Sequence, residues 1–247
     1  MPLGRTLIVG DVHGCATELD ELLTETRFAQ GVDRLVLVGD LVARGPDSAR
    51  VVEQMVSLGA RAVRGNHDEK VLTWWRVAEE FGRREASRRV KLSERHKEVV
   101  RQFKPRHFES LEALPLMLSL PEHGVMIVHA GVDPARPLPA NDEDTLLTVR
   151  SVDAAGKASR RLTGTPWASL WRGPQHIVFG HDARRNLQLE PFATGLDTGC
   201  CYGRQLSALV LDPGEPVSHD PDARRRQLVQ VQARQAWCPM GSADGSE

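Results

Sequence analysis

Five short blocks carry side chains able to hold a hard cation: Gly10-Asp11-Val12-His13-Gly14, Gly39-Asp40 through Arg44-Gly45, Gly65-Asn66-His67-Asp68, His129-Ala130-Gly131 and Gly180-His181. Each follows a short aliphatic run, so five loops can meet at one sheet edge and pool their ligands. Asp40 follows Leu35-Val36-Leu37-Val38, which is apolar on both faces. A carboxylate at the end of such a strand needs a partner, and a metal ion is the usual one when other ligands are at hand. Oxygen and imidazole donors without thiolate suit manganese, iron, zinc or cobalt. Asp11, His13, Asp40, Asn66, His129 and His181 are more than one ion takes once a water and a substrate oxygen are added. Two ions sharing a bridging carboxylate is the economical count.

The elements that must place these loops are legible in part. Thr6-Leu7-Ile8-Val9 reads as a buried strand, and Leu19, Leu22 and Leu23 mark a helix from Ala16 to about Thr26. The run from Leu35 is the next strand. Val51, Val52, Met55 and Val56 mark a second helix, with Asp47 or Ser48 as its N-cap and Gly59 as its stop. Ala60 to Val63 is a third strand. Strands joined through helices predict right-handed crossovers and a mainly parallel first sheet. From Glu69 to about Leu114 the chain reads as a charged helical region. Val125–Val128, Ile177–Phe179 and Leu206–Leu211 read as strands of a second, mixed sheet. Asp133 to Gly164 has little periodicity and is expected as surface loop, and Gly241 to Glu247 as a frayed tail. The expected organisation is one domain over residues 1–215 with a partly disordered extension over 216–247.

The 247 residues hold 32 basic and 33 acidic side chains, a net charge of -1, so no global field points to a dedicated nucleic-acid or membrane binder. No apolar run reaches the length of a membrane span and the N-terminus has no signal-peptide pattern, which gives a cytoplasmic expectation. Cys15, Cys200, Cys201 and Cys238 lack zinc spacing and are read as reduced thiols. The stretch Arg83 to Arg106 is locally basic. It is either a solvated helix face or a cap leaning over an anionic substrate, with Arg88 and Arg89 gripping phosphates and Trp74 or Trp75 available to stack on a base.

In order and type, the five blocks resemble the calcineurin-like metallophosphoesterases of the phosphoprotein-phosphatase branch. The resemblance spans Leu7 to about Leu211 and implies an α/β (α+β) fold, a β-sandwich flanked by helices, with the region 69–114 as a helical insertion. It implies that Asp11, His13 and Asp40 hold one ion, and that a bridging Asp40 with Asn66, His129 and His181 holds a second. Arg44 would grip phosphoryl oxygens as a fork. His67 diverges from its neighbour Asn66 and is free to protonate a leaving oxygen, while Asp68 either orients His67 or is structural. Protein phosphatases of this branch carry an aspartate just before the arginine, where this chain has Ala43. Gly39-Asp40-Leu41-Val42-Ala43-Arg44-Gly45-Pro46 and Leu196-Asp197-Thr198-Gly199-Cys200 instead resemble the symmetrical bis(5'-nucleosyl)-tetraphosphatases. That resemblance implies a dinucleoside polyphosphate such as diadenosine tetraphosphate as substrate, capped RNA as a further one, and two divalent ions with manganese first.

Overall fold

The computed structural model describes residues 4–240. Two five-stranded sheets face each other. Strands β1 (Thr6–Val9), β2 (Arg34–Leu37) and β3 (Arg61–Ala62) run parallel, with helices α1 (Ala16–Glu25) and α2 (Ser48–Ser57) as their crossovers. Both faces of these strands are covered, which is why they are apolar without alternation. Leu7, Val9, Leu35 and Leu37 pack under the helices, whereas Ile8, Val36 and Val38 point into the layer between the sheets. Asp47 caps α2 through the Arg50 backbone N–H at 3.1 Å, and Gly59, at φ +64°, turns the chain just after its end.

The charged region resolves into α3 (Asn66–Phe81), α4 (Arg83–Arg89), α5 (Glu94–Gln102) and α6 (Pro105–Glu112). Trp74, Val99, Val100, Phe103, Phe108 and Leu111 fasten these helices to the core beneath α1 and α2. The first of them starts earlier than the sequence suggests, so Asn66, His67 and Asp68 occupy its first turn.

Strands β4 (Met117–Leu120) and β5 (Val125–Val128) open the second sheet. The segment expected as loop, 133–164, instead contains α7 (Glu143–Thr148) and two strands of a small three-stranded sheet: β6 (Ser151–Val152), β7 (Ala158–Ser159) and, just beyond it, β8 (Thr165–Pro166). Two-residue strands are too short to show a period, which hides them in the sequence. After α8 (Trp167–Leu170), strands β9 (His176–Phe179), β10 (Gln188–Glu190) and β11 (Ala193–Gly195) complete the second sheet in the order β10-β11-β9-β5-β4, with parallel and antiparallel pairs mixed.

The run Leu206–Leu211, expected in the second sheet, instead returns the chain to the first as β12 (Gln205–Leu211), antiparallel to β1. The stretch beyond residue 215, expected as an extension, is built into the fold. Helix α9 (Pro221–Arg226) leads into β13 (Leu228–Gln232), which pairs with β12 and closes the sheet edge in the order β13-β12-β1-β2-β3. The reason lies in Arg224, one of an apparently polar arginine run. It is fully buried and donates to the carbonyls of Ala193 and Glu190 and to Thr194 Oγ1. The tail call, Gly241 to Glu247, lies outside the described residues.

Candidate active site

The ligand-bearing loops converge at the carboxyl ends of β1, β2, β3, β5 and β9. His13 is fixed by Nδ1 against the Val42 carbonyl at 3.0 Å, and His129 by Nδ1 against the Val38 carbonyl at 3.0 Å. Both therefore present Nε2 to the same carboxylate, with His13 and His129 each 3.5 Å from Asp40 Oδ2. Asp40 Oδ1 accepts the His67 backbone N–H at 2.9 Å, at the positive end of α3. Asn66 Oδ1 lies 2.9 Å from His129 Nε2 and 3.0 Å from His181 Nδ1. Asp11 Oδ2 accepts the His181 backbone N–H at 3.0 Å.

The backbone is forced to make this convergence. His13, Asp40, Arg44 and His181 all have positive φ, between 47° and 69°, a region non-glycine residues occupy at a cost of about 1–3 kcal/mol each and that is typical of functional loops. A Cβ on Gly180 would overlap Oδ1 of Asp11, and one on Gly65 would overlap Oδ1 of Asp40, so both carboxylates rest directly on glycine backbone.

Asp68, read from the sequence as orienting His67 or as structural, faces backbone amides. Its carboxylate accepts backbone N–H groups of Gly65 (2.8 Å), Leu41 (3.0 Å) and Val42 (3.2 Å) and so ties the Asp40 loop to α3. His67 is accompanied by His96 from α5 instead. His67 Nδ1 is 3.0 Å from His96 Nε2, and His96 Nδ1 is 2.7 Å from Ser93 Oγ. On the other side Arg44 Nε–H donates to His67 Nε2 at 3.3 Å. That network assigns the proton of neutral His67 to Nδ1, donated to His96, which in turn donates to Ser93. Arg44 also contacts the Tyr202 hydroxyl, and its guanidinium sits 5.3 Å from the Tyr202 ring centre.

The cleft thus formed is lined by His13, Asp40, Arg44, Asn66, His67 and His181, together with Arg150, Asp182, Arg184, Asp197 and Tyr202. Arg150, Asp182, Arg184 and the supporting His96 carry no motif that sequence reasoning could use. Asp197 does, since it stands in an Asp-Thr-Gly block after a buried leucine, and Tyr202 is the chain's one tyrosine. The expected substrate residues of the basic stretch lie elsewhere. Arg88 and Arg89 pair with Glu85 on their own helix, at 3.7 and 2.8 Å, and do not line the cleft. Trp74 is buried against Phe108, with Arg83 over its ring, beside a separate cavity of about 400 Å³.

The electrostatics are those of a site short of positive charge. Burial, then the neighbouring Asp197 and Asp40, push the Asp11 carboxyl well up. Burial raises Asp40 to about 7, although the His67 N–H and Arg44 oppose it. Asp68 is likewise pushed to about 7 and Asp197 to about 6. Burial and nearby Arg44 hold His13 and His67 well below the usual histidine range, and burial brings His129 to about 4.

Residues 4–203 match the family model of the calcineurin-like phosphoesterases, and the chain belongs to that family of hydrolases. It is 38% identical over 273 residues to the symmetrical bis(5'-nucleosyl)-tetraphosphatase of Shewanella baltica, covering 85% of this chain and 96% of that protein. It is 30% identical over 230 residues to the asymmetrical bis(5'-nucleosyl)-tetraphosphatase PrpE of Oceanobacillus iheyensis, covering 85% and 90%. A crystal structure provisionally assigned as a diadenosine tetraphosphatase superposes with a TM-score of 0.76 at 38% identity, covering 94% of this chain and 96% of that one.

The family implies divalent metal ions, and the residues fit them. His13, Asp40 and His67 form one group, and Asp40, His129 and His181 another, with ligand atoms within 4.8 Å of each other in each. Asp11 Oδ1 and His181 Nε2 are buried with no hydrogen-bond partner, as donors reserved for a cation would be.

Metal binding must expel the protons that the raised carboxyls hold. A carboxyl raised on folding stabilises the metal-free fold at low pH, and that contribution is lost as pH rises through about 7. The histidines, lowered on folding, act in the opposite sense below their ordinary value. Their neutral form already binds metal, so the gain from added metal follows the carboxyls. With one fixed ion concentration, a hundred times the Kd at pH 8, the melting temperature is expected to rise by about 5–10 °C at pH 8 and by much less at pH 5, where protons compete and the Kd is higher. A metal-induced rise of equal size at both pH values would contradict this.

Proposed function

We propose that this chain is a two-metal hydrolase of dinucleoside tetraphosphates that splits diadenosine tetraphosphate symmetrically into two molecules of adenosine diphosphate. Asp11, His13 and Asp40 take one ion, and Asp40, Asn66, His129 and His181 the other. Manganese is the first choice ahead of cobalt, iron or zinc. RNA carrying a nucleoside-tetraphosphate cap presents the same phosphate bridge and falls within the proposal, as does a cytoplasmic location.

The observation that carries the reading is the contact between Arg44 and His67 at the rim of the pooled ligands, in a loop that holds Ala43 rather than an aspartate. Bound ions would supply Lewis-acid charge for the phosphoryl oxygens and lower the pKa of the attacking water. The remaining steps belong to the chain. Arg44 turns from His67 to a pair of phosphoryl oxygens, held on its far side by Tyr202. The vacated Nε2 then takes up the proton released as the attacking water becomes hydroxide, giving an imidazolium whose Nδ1–H stays anchored on His96, and Nε2 passes that proton to the departing oxygen. A nucleoside diphosphate spreads its developing charge along its own phosphates, so it asks less of that proton than a serine alkoxide would. This is consistent with the neutral Ala43. Relatives named symmetrical support cleavage at an inner phosphorus, while those named asymmetrical keep the other mode in play.

Hydrolysis of diadenosine tetraphosphate in isotopically labelled water is expected to give adenosine diphosphate alone, with one label per two product molecules on a terminal phosphate. Mono- and triphosphate products would show asymmetric cleavage and retire the symmetrical reading. Faster turnover of a phosphopeptide than of the tetraphosphate would instead support a serine/threonine phosphatase.

A further inference from the structure

Arg150, Arg160, Arg161 and Arg184 line a second cavity of about 350 Å³, in which Leu162 and Thr163 are the other wall residues. Arg150 and Arg184 also line the metal-ligand cleft, so the two spaces adjoin through a pair of guanidiniums. No carboxylate lines this second cavity. Arg160 also pairs with Asp144, which does not line the hollow, so on a chain of net charge -1 four guanidiniums meet one carboxylate here and the local field stays positive.

The small third sheet builds this feature. Arg150 immediately precedes β6, and Arg160 and Arg161 immediately follow β7. The turn between β7 and β8 is fastened from inside by Ser151 Oγ donating to the Arg161 carbonyl at 2.7 Å and by Arg185 donating to the Leu162 carbonyl at 2.9 Å. Arg150 donates to the Arg160 carbonyl at 3.3 Å. The arginines therefore project from a braced turn. Arg150 also acts electrostatically on the ligand set, helping to hold the Asp40 carboxyl down.

We propose that this arginine cleft is a polyphosphate subsite: it takes the phosphates beyond the one under attack and selects substrates with a long phosphate chain. The ligand chemistry is a linear run of phosphates, which planar guanidinium forks match two oxygens at a time. The inference rests on the function proposed above for its natural ligand, a dinucleoside tetraphosphate. It also assigns to the third sheet the phosphate grip that the sequence suggested for Arg88 and Arg89.

The test uses the exposed pair. Inorganic tripolyphosphate is titrated calorimetrically into the full-length metal-free protein, so that chelation of the ions is not counted, for wild type, R160E/R161E and R160K/R161K. The glutamate variant is expected to bind about tenfold or more weakly and the lysine variant, which keeps the ion pair of residue 160 with Asp144, to recover most of the loss and to melt with wild type. On the metal-loaded enzyme, kcat/KM for diadenosine tetraphosphate relative to that for p-nitrophenyl phosphate should fall by a similar factor in R160E/R161E. Unchanged tripolyphosphate affinity, or an equal fall on both substrates, would overturn the subsite. A wild type that ignores diadenosine tetraphosphate, yet binds tripolyphosphate through Arg160 and Arg161, would overturn the proposed function and leave the subsite standing.

Discussion

Asp40→Asn is expected to remove bound metal and activity together, and more completely than the loss of any other single ligand. Asp40 Oδ2 is 3.5 Å from Nε2 of both His13 and His129, and Asp40 belongs to both candidate ligand groups. In the two-ion reading it is the only carboxylate that serves both ions. Asn66→Ala or His181→Ala removes a ligand from one ion alone. The rate loss should therefore exceed the roughly 10–100-fold typical of groups that only support a ligand.

The amide keeps an oxygen for the His67 backbone N–H and replaces a buried carboxyl already raised to about 7, so the metal-free variant should melt no lower than wild type. Elemental analysis beside kinetics distinguishes the cases. A variant with two bound ions and near-normal turnover would refute the bridging assignment, and a variant that melts far below wild type would show that Asp40 matters for the fold first.

The five ligand loops were legible because each pairs a donor with a glycine at a strand end, and that pairing reflects a real constraint. Gly180 and Gly65 are required where Asp11 and Asp40 lie against backbone. The parallel start of the first sheet was legible for a similar reason, since strands covered on both faces are continuous apolar runs. What stayed hidden has no local signature. Strands β6 to β8 are two residues each, and β13 is reached through a helix whose anchor, Arg224, looks like solvent-exposed charge until the carbonyls it binds are known. Arg150 and Arg184 enter the cleft from the third sheet and from the loop after His181, positions set by tertiary packing alone. For the basic stretch the structure gives a local partner that spacing could have suggested: Arg88 and Arg89 share Glu85 one turn away on the same helix.

The second large effect concerns His67 and its neighbour. His67→Ala should lower kcat by about 10²–10⁴-fold on substrates with poor leaving groups, and by much less on an aryl phosphate whose oxygen departs without a proton. His96 does not line the cleft, and as a positioning residue that holds His67 through the 3.0 Å Nδ1–Nε2 contact it should show the same leaving-group dependence more weakly. On the proposed reading it would stand in for the loop carboxylate that a protein phosphatase carries at the position of Ala43, with one difference. A neutral imidazole fixes the tautomer without adding charge, in a pocket where burial and Arg44 already hold His67 well below the usual histidine range.

His96→Ala should thus lower kcat with KM nearly unchanged, and His96→Gln, whose side-chain carbonyl can still accept from His67 Nδ1–H, should recover part of the loss. Nitrogen chemical shifts of labelled His67 give a reading that a structural role alone would not move. Wild type should show one dominant Nδ1–H tautomer and His96→Ala a mixture. Equal losses for good and poor leaving groups would move His67 from proton delivery to charge stabilisation. An unchanged tautomer in His96→Ala would leave His96 as packing between α3 and α5.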